Sequence, residues 1–180
     1  PERVEDLRAT AIKDDEVTFK WTENKKASGY TVYIYDTKEK DYIKAAESDK
    51  NEATVKGLAM ATKYKFAVIC HGEIEGTLYT SEQSDPVSVT TAYSVPEDFT
   101  LSSVKSSSYK LIWESIDEAE SYNVYRKNGS KYEKLISTKN NYYSVSGLSY
   151  STVDYYKVSA VYKVGKKTVE SELSEEIGAT

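Results

Sequence analysis

The side chains able to do chemistry are few and scattered. Cys70 and His71 stand side by side, the single cysteine and the single histidine among 180 residues. A thiol next to an imidazole invites a nucleophile and its base. Neighbouring residues of a strand point to opposite faces, so these two cannot easily meet. Cys70 reads as a small core residue, and His71 as a residue at a strand end or in a loop. One histidine makes neither a zinc site nor a catalytic triad. Carboxylates are plentiful, in Asp14-Asp15-Glu16, Glu170, Glu172 and Glu175-Glu176. A glycosidase needs two of them across a cleft, one with a raised pKa. These lie instead in turns and alternating, edge-like stretches, where charge keeps strands soluble. Asp14-Asp15-Glu16 lacks the spaced oxygen ligands of a calcium loop and reads as a solvated turn. Asn128-Gly129-Ser130 matches a glycosylation sequon, but Asn-Gly is already accounted for as a two-residue hairpin turn. No catalytic, cofactor-binding or metal-ligating residue stands out, so neither a cofactor nor an enzyme is expected.

The elements that carry these residues come twice. Val17, Phe19 and Trp21 alternate with polar residues, and Gly29-Tyr30-Thr31-Val32 opens a second alternating run. Tyr109, Leu111 and Trp113 do the same 92 positions later, followed at the same distance by Ser121-Tyr122-Asn123-Val124. From Leu58 onward the offset is 90, pairing Leu58 with Leu148 and Ser81 and Ser84 with Ser171 and Ser174. Loop length changes cheaply, so the loss of two residues falls in the region of the third to fifth strands. Period-two alternation and regular turns predict seven short strands per copy, an antiparallel arrangement rather than a parallel sheet with helices. The fold class predicted is therefore all-β, two tandem seven-stranded antiparallel β-sandwiches. The boundaries predicted are residues 1–93 and 97–180, with a linker at 94–96 too short and too poor in glycine to swivel freely.

Bulk properties narrow the function classes. Net charge is −5 with a sequence pI near 5.1, which offers no positive field for nucleic acid or anionic lipid. No apolar run approaches the ~20 residues of a membrane helix, and Pro1 opens the chain without a basic and apolar leader. The chain reads as a fragment of a longer protein.

The first copy carries Trp21 in its second strand and Gly29-Tyr30-Thr31-Val32 in its third. Leu58 then stands six residues before Tyr64, with Phe66 and Val68 alternating after it and Ser81 and Ser84 beyond. This pattern resembles the fibronectin type III family. The resemblance implies an immunoglobulin-like sandwich in which the tryptophan fills the core and a corner tyrosine at the start of strand F, Tyr64, hydrogen-bonds back across the turn. Two departures stand out. The family's usual proline two residues after the leucine is Met60 in copy one and Tyr150 in copy two. The corner tyrosine aligns with Asp154 in copy two, so either Tyr155 or Tyr156 takes over the corner or copy two lacks that bond. The inward alternation of Tyr156, Val158 and Ala160 favours the second alternative. The tyrosine- and lysine-rich style is similar to modules of secreted and surface proteins of Gram-positive bacteria.

Seventeen tyrosines against three phenylalanines suit strands with one end in a core and one in water. Alternation places Tyr30, Val32 and Ile34 on the inner face and Tyr33 and Tyr35 on the outer one. Tyr125 occupies the matching place in copy two, with Tyr155 on a neighbouring strand. These four are the candidate contact residues, because exposed aromatics can stack on sugars or anchor a protein. Equally, they can cover the sheet through cross-strand pairs and lysine stems. The function expected is a non-catalytic extracellular or cell-surface spacer, roughly 60–70 Å long for two sandwiches end to end. Its partners are the neighbouring domains of its parent chain, with adhesion to polysaccharide or protein as the alternative. Nucleic acid and membrane insertion are not expected, and the chain is expected to be a monomer.

Overall fold

The computed structural model describes residues 2–148 and 152–179. The chain divides into two compact units, Pro1–Ala92 and Tyr93–Thr180. Tyr93 and Ser94 belong structurally to the second: the Tyr93 ring lies 4.9 Å from that of Tyr162, whose hydroxyl donates to the Ser94 carbonyl at 2.6 Å.

Unit one pairs a three-stranded sheet, β1 (Arg8–Ile12), β2 (Val17–Lys20) and β5 (Glu52–Val55), with a larger sheet. The larger one runs β4 (Asp41–Ser48), β3 (Gly29–Asp36), β6 (Lys63–Ile74) and β7 (Thr77–Thr80), with β8 (Val87–Thr90) also on β6. Unit two repeats this. Its small sheet holds β9 (Thr100–Ser102), β10 (Ser108–Ile112) and β13 (Tyr142–Ser146). Its large one holds β12 (Lys131–Thr138), β11 (Ser121–Asn128), β14 (Asp154–Val164) and β15 (Lys167–Glu170), with β16 (Ile177–Ala179) on β14. All pairings are antiparallel, and the described residues contain no helix.

The seventh strand of each sandwich thus comes in two segments on one partner, β7 and β8 in unit one, β15 and β16 in unit two. The serine pairs bridge the break. Ser81 donates its N–H to the Cys70 carbonyl at 2.9 Å while its Oγ accepts the Cys70 N–H at 3.0 Å. Ser84 does the same with Val68, at 2.9 Å both ways. Ser171 with Ala160 and Ser174 with Val158 repeat the device. Each serine thereby replaces a full ladder rung with one residue, which keeps buried backbone groups paired where the strand is interrupted.

Alternation fills the cores. Val17, Phe19, Trp21, Val32, Phe66, Val68 and Cys70 are buried in unit one. The Trp21 and Tyr30 rings meet edge-on at 5.2 Å, as Trp113 and Tyr122 do at 5.4 Å in unit two. The two tyrosine hydroxyls then accept backbone N–H groups at the rim, from Asn24 at 2.9 Å and Ile116 at 2.7 Å. Asn51 and Asn141 cap the tryptophan carbonyls, each at 2.9 Å. The surroundings of the two tryptophans are therefore repeated contact for contact.

Candidate functional site on the outer sheet faces

The outer face of each large sheet is built by the residues between the core positions of its strands. In both units the ladder slips by one residue just before the outer tyrosine, between Val32 and Tyr33 and between Val124 and Tyr125. A bulge of this kind re-aims the side chains that follow it.

In unit one, Thr31 Oγ1 and His71 Nε2 lie 2.6 Å apart across the β3–β6 ladder. His71 sits inside β6, not at a strand end or in a loop as its sequence neighbourhood suggests. The reason is the turn at Glu75-Gly76, where both residues take positive φ (50° and 80°), so the chain doubles back into β7 and His71 pairs with Thr80. A hairpin therefore replaces the loop. Cys70 faces the other way, fully buried, its thiol donating to the Glu2 carbonyl at 3.1 Å.

In unit two Val161 stands where His71 stands, and a polar cluster forms instead around Asn123. The Tyr125 hydroxyl lies 2.5 and 2.6 Å from the two carboxylate oxygens of Glu170. Asn123, buried at the position of Thr31, donates to the same carboxylate at 2.9 Å and accepts from Ser137 at 2.6 Å. Burial, then the carboxylate it donates to, push the Tyr125 hydroxyl up to about 12. At Glu170 burial works upward, but the hydrogen bonds from Tyr125 and Asn123, the nearby Ser159 hydroxyl and the Lys134 charge outweigh it and lower the carboxyl. This cluster was not singled out from the sequence, although a polar residue between two core positions in both copies, Thr31 and Asn123, is a signal that could have located it.

The other outward tyrosines pair with lysines. Lys65 Nζ lies 5.3 Å from the centre of the Tyr35 ring, which also meets Tyr42 edge-on at 5.3 Å. Lys127 Nζ lies 5.4 Å from the Tyr155 ring and 3.8 Å from Glu176. In register, Tyr35 corresponds to Lys127 and Lys65 to Tyr155, so the cation–π pair is kept with its partners exchanged. The Tyr155 ring covers Gly178 on β16, where an added Cβ would lie 3.0 Å from its edge. Tyr33 is half-buried opposite Lys44. Tyr33 and Tyr35 belong to unit one and Tyr125 and Tyr155 to unit two, and among the described residues no ring contact joins Tyr33 to Tyr35 or Tyr125 to Tyr155.

The corner decides the family. Tyr64 OH accepts the Ala59 N–H at 2.9 Å, reaching back across the turn before β6, as the corner tyrosine of these sandwiches does. A fibronectin type III family model matches residues 2–90. The first domain belongs to the fibronectin type III family, and the second repeats its sheet order. In the second domain Asp154 occupies the corner position, pairing with Ala179. Tyr155 lies outside over Gly178, and Tyr156 points into the core to meet Tyr109, their hydroxyls 2.6 Å apart. Among the described residues, no tyrosine serves as the second domain's corner. Tyr150, at the family's proline position, lies outside the described residues.

Solved structures similar to this tandem include a two-domain fibronectin type III segment of chicken tenascin. It is 16% identical with a TM-score of 0.47, covering 98% of this chain and 97% of that one. The three-domain segment FN1–FN3 of chicken CNTN1 is 18% identical with a TM-score of 0.45, covering 99% of this chain and 66% of that one. Domains A168–A170 of titin are 26% identical over 48% of this chain and 31% of that one, with a TM-score of 0.39. No curated protein matches the sequence.

Proposed function

We propose that this pair of domains is a non-catalytic spacer in an extracellular or surface-anchored multidomain protein. Fibronectin type III domains commonly serve as modules of such proteins in adhesion or spacer roles. The observation that carries the spacer reading is the occupation of the outer faces by their own side chains. The Tyr125 hydroxyl is held by Glu170, and the Tyr35 and Tyr155 rings by Lys65 and Lys127. Such pairs consolidate a sheet that has solvent on one side. A force-extension measurement on the 180-residue chain tests this. The expected record is two separate unfolding events, each releasing roughly 300 Å of chain. A single event, or extension without resistance, contradicts it.

Adhesion through the outer tyrosines is the second reading, favoured by the exposure of Tyr155, at 39%. Binding on a glycan or cell-wall array that disappears in Tyr155→Ala would support it, and binding that survives Tyr155→Ala and Tyr125→Ala rejects those residues as the contact.

A further inference from the structure

We propose that the first domain carries a docking groove for an acidic peptide segment with an apolar anchor residue, a role beyond that of a spacer. The last residues of β3 and the first residues of β4 and β6 enclose a groove of about 710 Å³, walled by Ile34, Ile43, Tyr35 and Tyr64. Ile43 is 44% exposed there. Ile34 and Ile43 face each other across the β3–β4 ladder.

The second domain shows that the fold does not require these residues. In the matching register Arg126 faces Glu133, and Asp154 stands where Tyr64 stands. One sandwich thus closes this end with charge, while the other leaves Ile43 to water beside Ile34, which is half-buried against the core. An apolar patch that the architecture can do without is a candidate contact surface.

Charge selects the occupant. Lys38, Lys63 and Lys65 line the groove against one carboxylate, Asp36. Asp36 Oδ1 already accepts the N–H groups of Lys38 and Glu39, at 2.8 and 3.1 Å. The net positive rim calls for an anionic partner. The walls favour a peptide over a sugar. A sugar ring stacks on an open aromatic face, whereas the Tyr35 ring is taken by Lys65 and Tyr42, and the Tyr64 hydroxyl is tied to Ala59. What remains open is isoleucine surface, which fits a buried apolar side chain.

Fluorescence anisotropy of the 180-residue chain with labelled peptides Glu-Glu-X-X-Glu-Glu, X being Phe, Trp or Leu, tests the proposal. Binding is expected to weaken about tenfold or more in Ile43→Glu, which installs the residue type the second domain has there. Replacing the peptide glutamates by glutamine, adding 0.5 M salt (about a 4 Å screening length), or making Lys63→Gln is expected to weaken it several-fold. Ile74→Glu, at an isoleucine 56% exposed on the β6–β7 hairpin, is expected to leave affinity unchanged. An unaltered unfolding midpoint shows that Ile43→Glu still folds; if it does not, Lys63→Gln decides. Absence of binding up to roughly 1 mM overturns the proposal. Equal binding of the glutamine peptides, affinity unaffected by Ile43→Glu or Lys63→Gln, or tighter binding of a hexuronate oligosaccharide at the same groove overturns it too.

Discussion

At the centre of the first domain two phenylalanines meet, Phe19 and Phe66, with ring centres 4.6 Å apart. At the same place in the second, Tyr109 and Tyr156 share a buried hydrogen bond, hydroxyl to hydroxyl, at 2.6 Å. The exchange involves three positions. Tyr109 stands where Val17 stands, Leu111 where Phe19 stands, and Tyr156 where Phe66 stands. One aromatic ring has moved two residues along the second strand, so the sandwich fixes the volume to be filled more tightly than the residue that fills it. The second solution brings two hydroxyls into the core, tolerable because each satisfies the other. Burial, and then Tyr109 itself, raise Tyr156 far above a free phenol, and Tyr109 is raised by burial in turn.

Removing the aromatic core breaks the comparison hardest. Phe66→Ala is expected to destabilise the first domain by about 3–5 kcal/mol, read from its denaturant midpoint, with the second domain's transition unmoved. Next in size is Tyr156→Phe, which strands the Tyr109 hydroxyl and is expected to cost about 1–3 kcal/mol in the second domain. Adding Tyr109→Phe is expected to recover most of that loss, because the double variant approaches the phenylalanine core of the first domain. A double-mutant cycle with no coupling contradicts the hydrogen bond.

A pH titration sharpens the contrast on the outer face. Tyr125 is raised from 10.0 to about 12, so between those values the unfolded chain loses a proton that the folded domain keeps. Stability of the second domain is therefore expected to be complete below pH 10 and to fall as pH rises toward 12, in the same direction as the raised Tyr109 and Tyr156. Glu170, lowered from 4.5, contributes in the opposite sense: its stabilisation is present above 4.5 and is lost as pH falls through its lower folded value. Melting temperatures across pH check both arms, and Tyr125→Phe is expected to make the alkaline one shallower, with the contribution of Tyr109 and Tyr156 remaining. The smallest effect is expected at the corner, where Tyr64→Phe removes one hydrogen bond and about 1 kcal/mol from the first domain.

Much of this was legible because strand alternation and the tryptophan spacing are local. Val17, Phe19 and Trp21 announce an inner face, and their recurrence announces a second sandwich. The split seventh strand was less visible. Its cue is the two-residue turn Glu75-Gly76, with its counterpart at Gly165-Lys166, amid exposed residues that lack the alternation of a half-buried strand. The outer cluster was not legible. Tyr125 and Glu170 are 45 residues apart, and nothing in a chain of many carboxylates marks which one folds over a given tyrosine. The exchanged cation–π pair hides for the same reason: the offsets of 92 and 90 align Tyr35 with Lys127 and Lys65 with Tyr155, but only the folded sheets show that each tyrosine lies beside its lysine.

Single-tryptophan chains test the two-core account most directly. In Trp113→Phe, Trp21 reports the first domain alone, and in Trp21→Phe, Trp113 reports the second. The account predicts that adding Phe66→Ala moves the Trp21 transition and leaves the Trp113 transition where it was. Two indoles that red-shift together, at one shared midpoint displaced by Phe66→Ala, would contradict it.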